Sequence, residues 1–137
     1  GKPRPIHTWH GERTLAYERT TSWVRSNIVQ QPRTVREGDG WAEKIVGEHD
    51  LLYFSLRRLE FEKQIEDDTC GKFHVLTLVD GERIRIRSVA QPERYFDAEY
   101  MDMVVVPADM GRYVIENLRT EPISVHKTML KDGFDKE

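Results

Sequence analysis

The 137-residue sequence has a single cysteine, Cys70. One thiol excludes an internal disulfide framework and points to a reducing compartment, so a cytoplasmic location is expected. With no activating environment legible around it, Cys70 reads as an inert small residue rather than a nucleophile. Long apolar runs are also missing. Nothing approaches the roughly 18 residues of a membrane helix, and the polar, proline-containing opening lacks the apolar core of a secretory signal. There is no starting Met, so the chain reads as an excised piece or a processed product. Positive charge is not in excess either. The 21 Lys and Arg stand against 24 Asp and Glu, for a net charge of −3, which argues against the basic footprint of a nucleic-acid binder. Internal repeats and low-complexity blocks are absent. What is present suits one core: 38% hydrophobic and 33% charged residues in a chain of single-domain length.

The chain is organised around residues 73–117. Two apolar runs meet at Asp80-Gly81, a dipeptide that turns hairpins because glycine tolerates positive φ. A second run, Met103 to Val106, stops at Pro107, which has no N–H for a ladder. It restarts after Gly111 as Arg112-Tyr113-Val114-Ile115. These read as two hairpins of a small antiparallel domain. Trp41 to Val46, Leu51 to Phe61 and Ile123 to Leu130 read as further strands. Leu52, Phe54 and Leu56 share one face while Leu59 and Phe61 fall on the other parity, so a bulge near Arg57-Arg58 is predicted. Glu62 to Gly71 is acidic and reads as a loop, and Glu93 to Tyr100 is weakly patterned. Upstream, Thr8 is placed to cap a short helix to about Glu18 with Leu15 and Ala16 facing the body, and residues 27–32 read as an extended connector. The expected organisation is a helix and extended linker over 1–36, packing on a barrel over 37–131, and a charged tail over 132–137. Short strands between turns argue an antiparallel sandwich or barrel, without choosing between a jelly roll and other sandwiches.

At the two turns the sequence resembles a cupin. Leu78-Val79-Asp80-Gly81-Glu82 stands for the strand ending V-L-x-G-E, and Asp102 to Arg112 for G-D-x-x-x-x-P-x-G-x-x-H. Met101 stands where the second motif has its first glycine, and Arg112 where it has its metal-binding histidine. The first motif's two histidines fall near Asp68 and Cys70, and its carboxylate at His74. The resemblance therefore implies an all-β, cupin-like double-stranded β-helix (jelly roll) with a short N-terminal helix and no metal, since a metal site needs several converging N/O ligands. His74 and Arg112 are the residues it turns towards the lumen. At the central turn, a two-residue loop would put Phe73, Val75 and Thr77 inside with Ile84 and Ile86, and a three-residue loop His74, Leu76 and Leu78; the resemblance selects the second, because its first-motif carboxylate, matched by His74, points into the barrel.

The segment GKPRPIHTWHGERTL narrows the likeness. It resembles D-G-K-P-R-x-[LI]-H-x-x-x-A-L, which in class I mannose-6-phosphate isomerases leads from the catalytic cupin into a second, C-terminal one. The resemblance implies that the whole enzyme interconverts mannose 6-phosphate and fructose 6-phosphate through an enediol, with zinc held in the upstream cupin. This chain would be the non-catalytic half: no catalytic, cofactor-binding or metal residues, zinc only in the parent, and the upstream cupin of the same chain as partner. No nucleic acid or membrane partner is implied, and the oligomeric state stays open. Two other classes remain, a free-standing metal-free cupin that senses a sugar or small ligand, and a metal-dependent cupin with unusual ligands.

Four further groups have both a chemical and a plain reading. His7 and His10, with Glu12, have helical metal-ligand spacing, but also suit packing or capping in a linker. Arg83, Arg85 and Arg87 share a strand face that suits phosphate, or the solvated face of an edge hairpin. Trp9, Trp23 and Trp41 offer stacking surface for a sugar, or anchors that fasten the N-terminal segment to the barrel. Glu66, Asp67 and Asp68 would attract a cation, or simply be solvated.

Overall fold

The computed structural model describes residues 3–131 and 133; the tail expected over 132–137 lies, Gly133 apart, outside them. The chain divides after Gln30 into two units. The first carries two seven-residue helices, α1 (Thr8–Thr14) and α2 (Thr21–Asn27). Thr8 does not cap α1. The cap position is His7, and it makes no side-chain hydrogen bond. The helix stops at Thr14, short of Glu18, and Thr20 caps α2, a helix that falls partly where a connector was expected. Helices this short are marginal by propensity. Neither has a buried residue, and Trp9, expected as an anchor, is 54% exposed.

The second unit is all-β. Its ten strands are β1 (Arg33–Gly38), β2 (Trp41–Glu48), β3 (Phe54–Phe61), β4 (Gln64–Asp68), β5 (His74–Asp80), β6 (Arg83–Ser88), β7 (Tyr95–Glu99), β8 (Met103–Val106), β9 (Arg112–Asn117) and β10 (Ile123–Leu130). They form a six-stranded sheet, β1-β2-β3-β10-β5-β8, and a four-stranded one, β4-β9-β6-β7. Every pairing is antiparallel. This is the jelly-roll architecture expected. No helix among the described residues is long and apolar enough to cross a membrane.

Neither central turn is a hairpin. β5 pairs with β10 and β8, whereas β6 pairs with β7 and β9 in the other sheet. Asp80-Gly81 is thus a corner where the chain passes between sheets, and residues 107–111 make a second such corner from β8 to β9. Both use glycine at positive φ: Gly81 at 118° and Gly111 at 64°. A side chain at 81 would also collide with Ile123, whose Cγ2 lies 2.4 Å from where a Cβ would sit. The inward set is nonetheless His74, Leu76, Leu78, Ile84 and Ile86, all buried, with Phe73 43% exposed.

The predicted bulge in β3 is absent. β3 runs in unbroken register against β10, and the irregularity lies in β2 between Ile45 and Gly47. The inward face of β3 is therefore Ser55, Arg57, Leu59 and Phe61; Leu52 and Phe54 are exposed. The acidic stretch is likewise not a loop but β4, which buries Ile65 and Asp67. The Arg83–Arg85–Arg87 row lies on an interior strand, not an edge hairpin, with Arg83 and Arg85 paired to Asp97 and Arg87 to Glu116.

Register divides the lumen into two ends. Leu59, Val125 and Leu78 form one cross-strand row beside Phe61 and Ile123. They face Ile65, Ile84, Ile86, Ala98 and Ile115 of the other sheet in a continuous apolar core, worth about 1.5–3 kcal/mol for each large side chain. Further along the strands the rows turn polar: Arg57–Lys127, then Ser55–Met129–His74. The opposing sheet offers Asp67, Tyr113 and Ser88 in one row.

Candidate functional site in the polar end of the lumen

Charged residues enter this lumen because strand parity puts them there. Lys127 alternates with Ile123 and Val125 on β10, Arg57 with Leu59 and Phe61 on β3, and Glu43 with Ile45 on β2. Glu43 and Lys127 are 0% and 2% exposed. Burying such groups singly is prohibitive, so they must be paired. Lys127 Nζ bridges Glu43 at 2.8 Å and Asp67 at 2.5 Å. Arg57 donates to Glu43 at 3.0 Å. Arg36, at the mouth, pairs with Glu43 and reaches Asp67 at 2.8 Å. Three cations thus share two carboxylates, an excess of one positive charge.

The ionisation states follow. Burial pushes the Glu43 carboxyl up, but the Lys127 ammonium and then Arg36 outweigh it and hold the group at about 2. Burial and the nearby Lys127 charge lower His74 to about 4, with Asp67 and Glu43 opposing only in part. Burial, then the Asp67 charge, raises the Tyr113 phenol well above its usual value. At neutral pH the layer holds a charged Glu43 carboxylate, a neutral imidazole and a neutral phenol.

Tyr113 Oη donates to Asp67 at 3.2 Å and lies 2.7 Å from His74 Nδ1. With the phenolic hydrogen on Asp67, the network assigns the imidazole proton to Nδ1. Nε2 is then an acceptor, and it has no partner among the described residues. Arg57 Nε and Ser55 Oγ are also buried and unpartnered. His74 and Arg57 line one cavity of about 220 Å³ that also touches Val35, Cys70 and Lys127. Ser55 and Arg57 line an adjoining one of about 270 Å³.

Of the two residues expected in the lumen, His74 is 1% exposed and at the centre of this layer. Arg112 is not in the lumen. It begins β9 with its side chain 62% exposed and pairs with Glu66, because the buried parity of β9 starts at Tyr113. Sequence reasoning missed Glu43, Arg57, Tyr113 and Lys127, and named Asp67 only within an acidic loop that would attract a cation or be solvated. The available signal was a charged residue on the apolar parity of a strand.

The cupin resemblance raises the question of a metal. The carboxylates that would ligate one are already held by Lys127, Arg36 and Arg57, and no group of three His, Cys, Asp or Glu among the described residues is arranged to hold an ion. That statement covers His7 and His10, whose rings meet edge to face at 5.8 Å.

The fold itself has many likenesses. The Cnp3 cupin domain of Schizosaccharomyces pombe matches at TM-score 0.54 and 15% identity, over 67% of this chain and 65% of that one. A cupin-2 domain protein of Rhodospirillum rubrum matches at 0.58 and 13%, over 74% and 70%. Hazelnut vicilin matches at 0.57 and 19%, over 75% of this chain and 32% of its own. At such identities what is shared is the fold: the chain contains a cupin barrel. No family model and no curated protein matches the sequence.

Proposed function

We propose that this cupin is the non-catalytic C-terminal half of a mannose-6-phosphate isomerase-like enzyme. In this reading it stabilises or shapes an upstream catalytic cupin of the same cytoplasmic chain, which holds the zinc. The observation that carries the non-catalytic part is the Lys127 ammonium between Glu43 and Asp67, a fixed protein cation where ligands would otherwise be free. The GKPRPIH segment supports the parentage. The purified chain is expected to show neither stoichiometric transition metal by elemental analysis nor turnover of mannose 6-phosphate in a coupled assay. Turnover above background that a chelator abolishes overturns the reading. Sequence encoded just upstream of Gly1 tests the parentage: an adjoining cupin with a Gln-x-His pair and a Glu supports it, and any other neighbour argues against it.

A second reading, a free-standing metal-free cupin that senses a small ligand, is favoured by the unpartnered buried atoms of Ser55, Arg57 and His74.

A further inference from the structure

We propose that the polar end of the lumen binds a small 2-hydroxycarboxylate through Arg57 and His74. The inference goes beyond the functional assignment and holds for an isomerase half as for a free-standing sensor.

Two atoms define the chemistry. Arg57 uses Nη1 on Glu43 at 3.0 Å, and its Nε–H is buried without an acceptor. Neutral His74 uses Nδ1 on Tyr113 at 2.7 Å, and its Nε2 lone pair is buried without a donor. A buried polar atom left unpaired costs about 1–3 kcal/mol, so native proteins rarely keep two in one cavity without a use. One site therefore asks for an acceptor and a donor together. A carboxylate oxygen accepts from Arg57, and a neighbouring hydroxyl donates to His74.

Charge selects the anion over a neutral polyol. At the buried end Arg36, Arg57 and Lys127 exceed Glu43 and Asp67 by one positive charge, and the third carboxylate lining the cavity, Asp68, lies at its exposed mouth and accepts from the Cys70 N–H. Size permits a small molecule, since 220 Å³ is the liquid volume of about seven waters. Access is from the exposed side of the cavity, at Val35, Asp68 and Cys70. Adjoining space beside Ser55, whose Oγ is also unpartnered, accepts a longer substituent.

Three probes of nearly equal size separate the contributions: glycolate has carboxylate and hydroxyl, acetate only the first, ethylene glycol only hydroxyls. Calorimetric titration of the purified chain is expected to show glycolate binding about tenfold or more tighter than either. The His74 Nε2 resonance should shift with glycolate and far less with acetate. Arg57→Gln should remove the preference for glycolate over ethylene glycol, and His74→Phe the preference over acetate, with folding checked by circular dichroism. Should a variant fail to fold, the wild-type affinity order and the Nε2 shift decide alone. Equal affinity for the three probes, no binding at millimolar concentration, or folded variants that keep the wild-type order each overturns the proposal.

Discussion

Arg57 and Lys127 are register partners on adjacent strands with both side chains turned into the lumen. Like charges directly opposite each other destabilise a sheet pair. They are tolerated here because Glu43 lies between them, 3.0 Å from Arg57 Nη1 and 2.8 Å from Lys127 Nζ. The layer stands or falls as a set.

Lys127→Met should lower unfolding stability by about 3–5 kcal/mol, because Glu43 and Asp67 lose the ammonium that bridges them inside the lumen. Urea denaturation measures it. Adding Asp67→Asn to Lys127→Met restores the wild-type excess of one positive charge, with Arg36 and Arg57 on Glu43, and should recover part of the loss. A double variant less stable than the single one would contradict the charge-balance argument.

Acid should destabilise the barrel in two overlapping stages. His74 falls from an ordinary 6.5 to about 4 in the folded state, so the unfolded chain binds more protons between those values. Stability is then full above pH 6.5 and declines as pH falls to about 4, by about 3 kcal/mol. Glu43 is depressed from 4.5 to about 2, so its contribution is present above pH 4.5 and lost as pH falls to about 2. Tyr113 is raised, which removes stability as pH climbs above 10. Urea midpoints across pH check all three, and His74→Phe should flatten the first stage alone.

Met101 occupies the left-handed region at φ 67°, at the position where the cupin motif has glycine. A non-glycine residue pays about 1–2 kcal/mol there. Met101 is 60% exposed, so little packing is lost on removing it. Met101→Gly should therefore raise stability by about 1 kcal/mol and the melting temperature by about 4 °C. Calorimetry showing a lower melting temperature would remove this backbone argument.

Gly81→Ala should cost about 3 kcal/mol or more, since positive φ and the 2.4 Å approach to Ile123 act together. Gly111→Ala, also at positive φ but with nothing within 4 Å of the new Cβ, should cost only about 1 kcal/mol. Equal losses in thermal unfolding would show that the Ile123 contact does not matter.

Alternation along β6 was legible in the sequence, because Ile84 and Ile86 stand between arginines, and β5, β8 and β10 were legible as strands without their facing. The turn at Asp80-Gly81 was legible as a bend but not as a corner. A glycine at positive φ serves both, and whether β5 meets β6 or β10 depends on residues more than 40 positions away. β3 was read in the wrong phase because its buried parity carries Ser55 and Arg57 while its outer parity carries Leu52, Phe54 and Leu56. Hydrophobicity misleads wherever a charge is neutralised by a distant partner, as Arg57 is by Glu43 and Asp67 by Lys127. His74 was legible through its place in the resemblance. Arg112 was misplaced by the same alignment, because strand parity and not motif position decides which way a side chain points.

β10 lies between β3 and β5 at the middle of the larger sheet, yet it comes last in sequence among the described strands. During synthesis β1–β3 emerge early and have no route to β5 until Ile123–Leu130 has left the ribosome. The same segment delivers Lys127, so until then Glu43 and Asp67 lack their shared ammonium. Chains interrupted near Pro122 would carry a split sheet and two carboxylates that resist burial. Completion of the barrel is thus tied to the last eight-residue strand, and truncated products should remain unfolded and open to proteolysis.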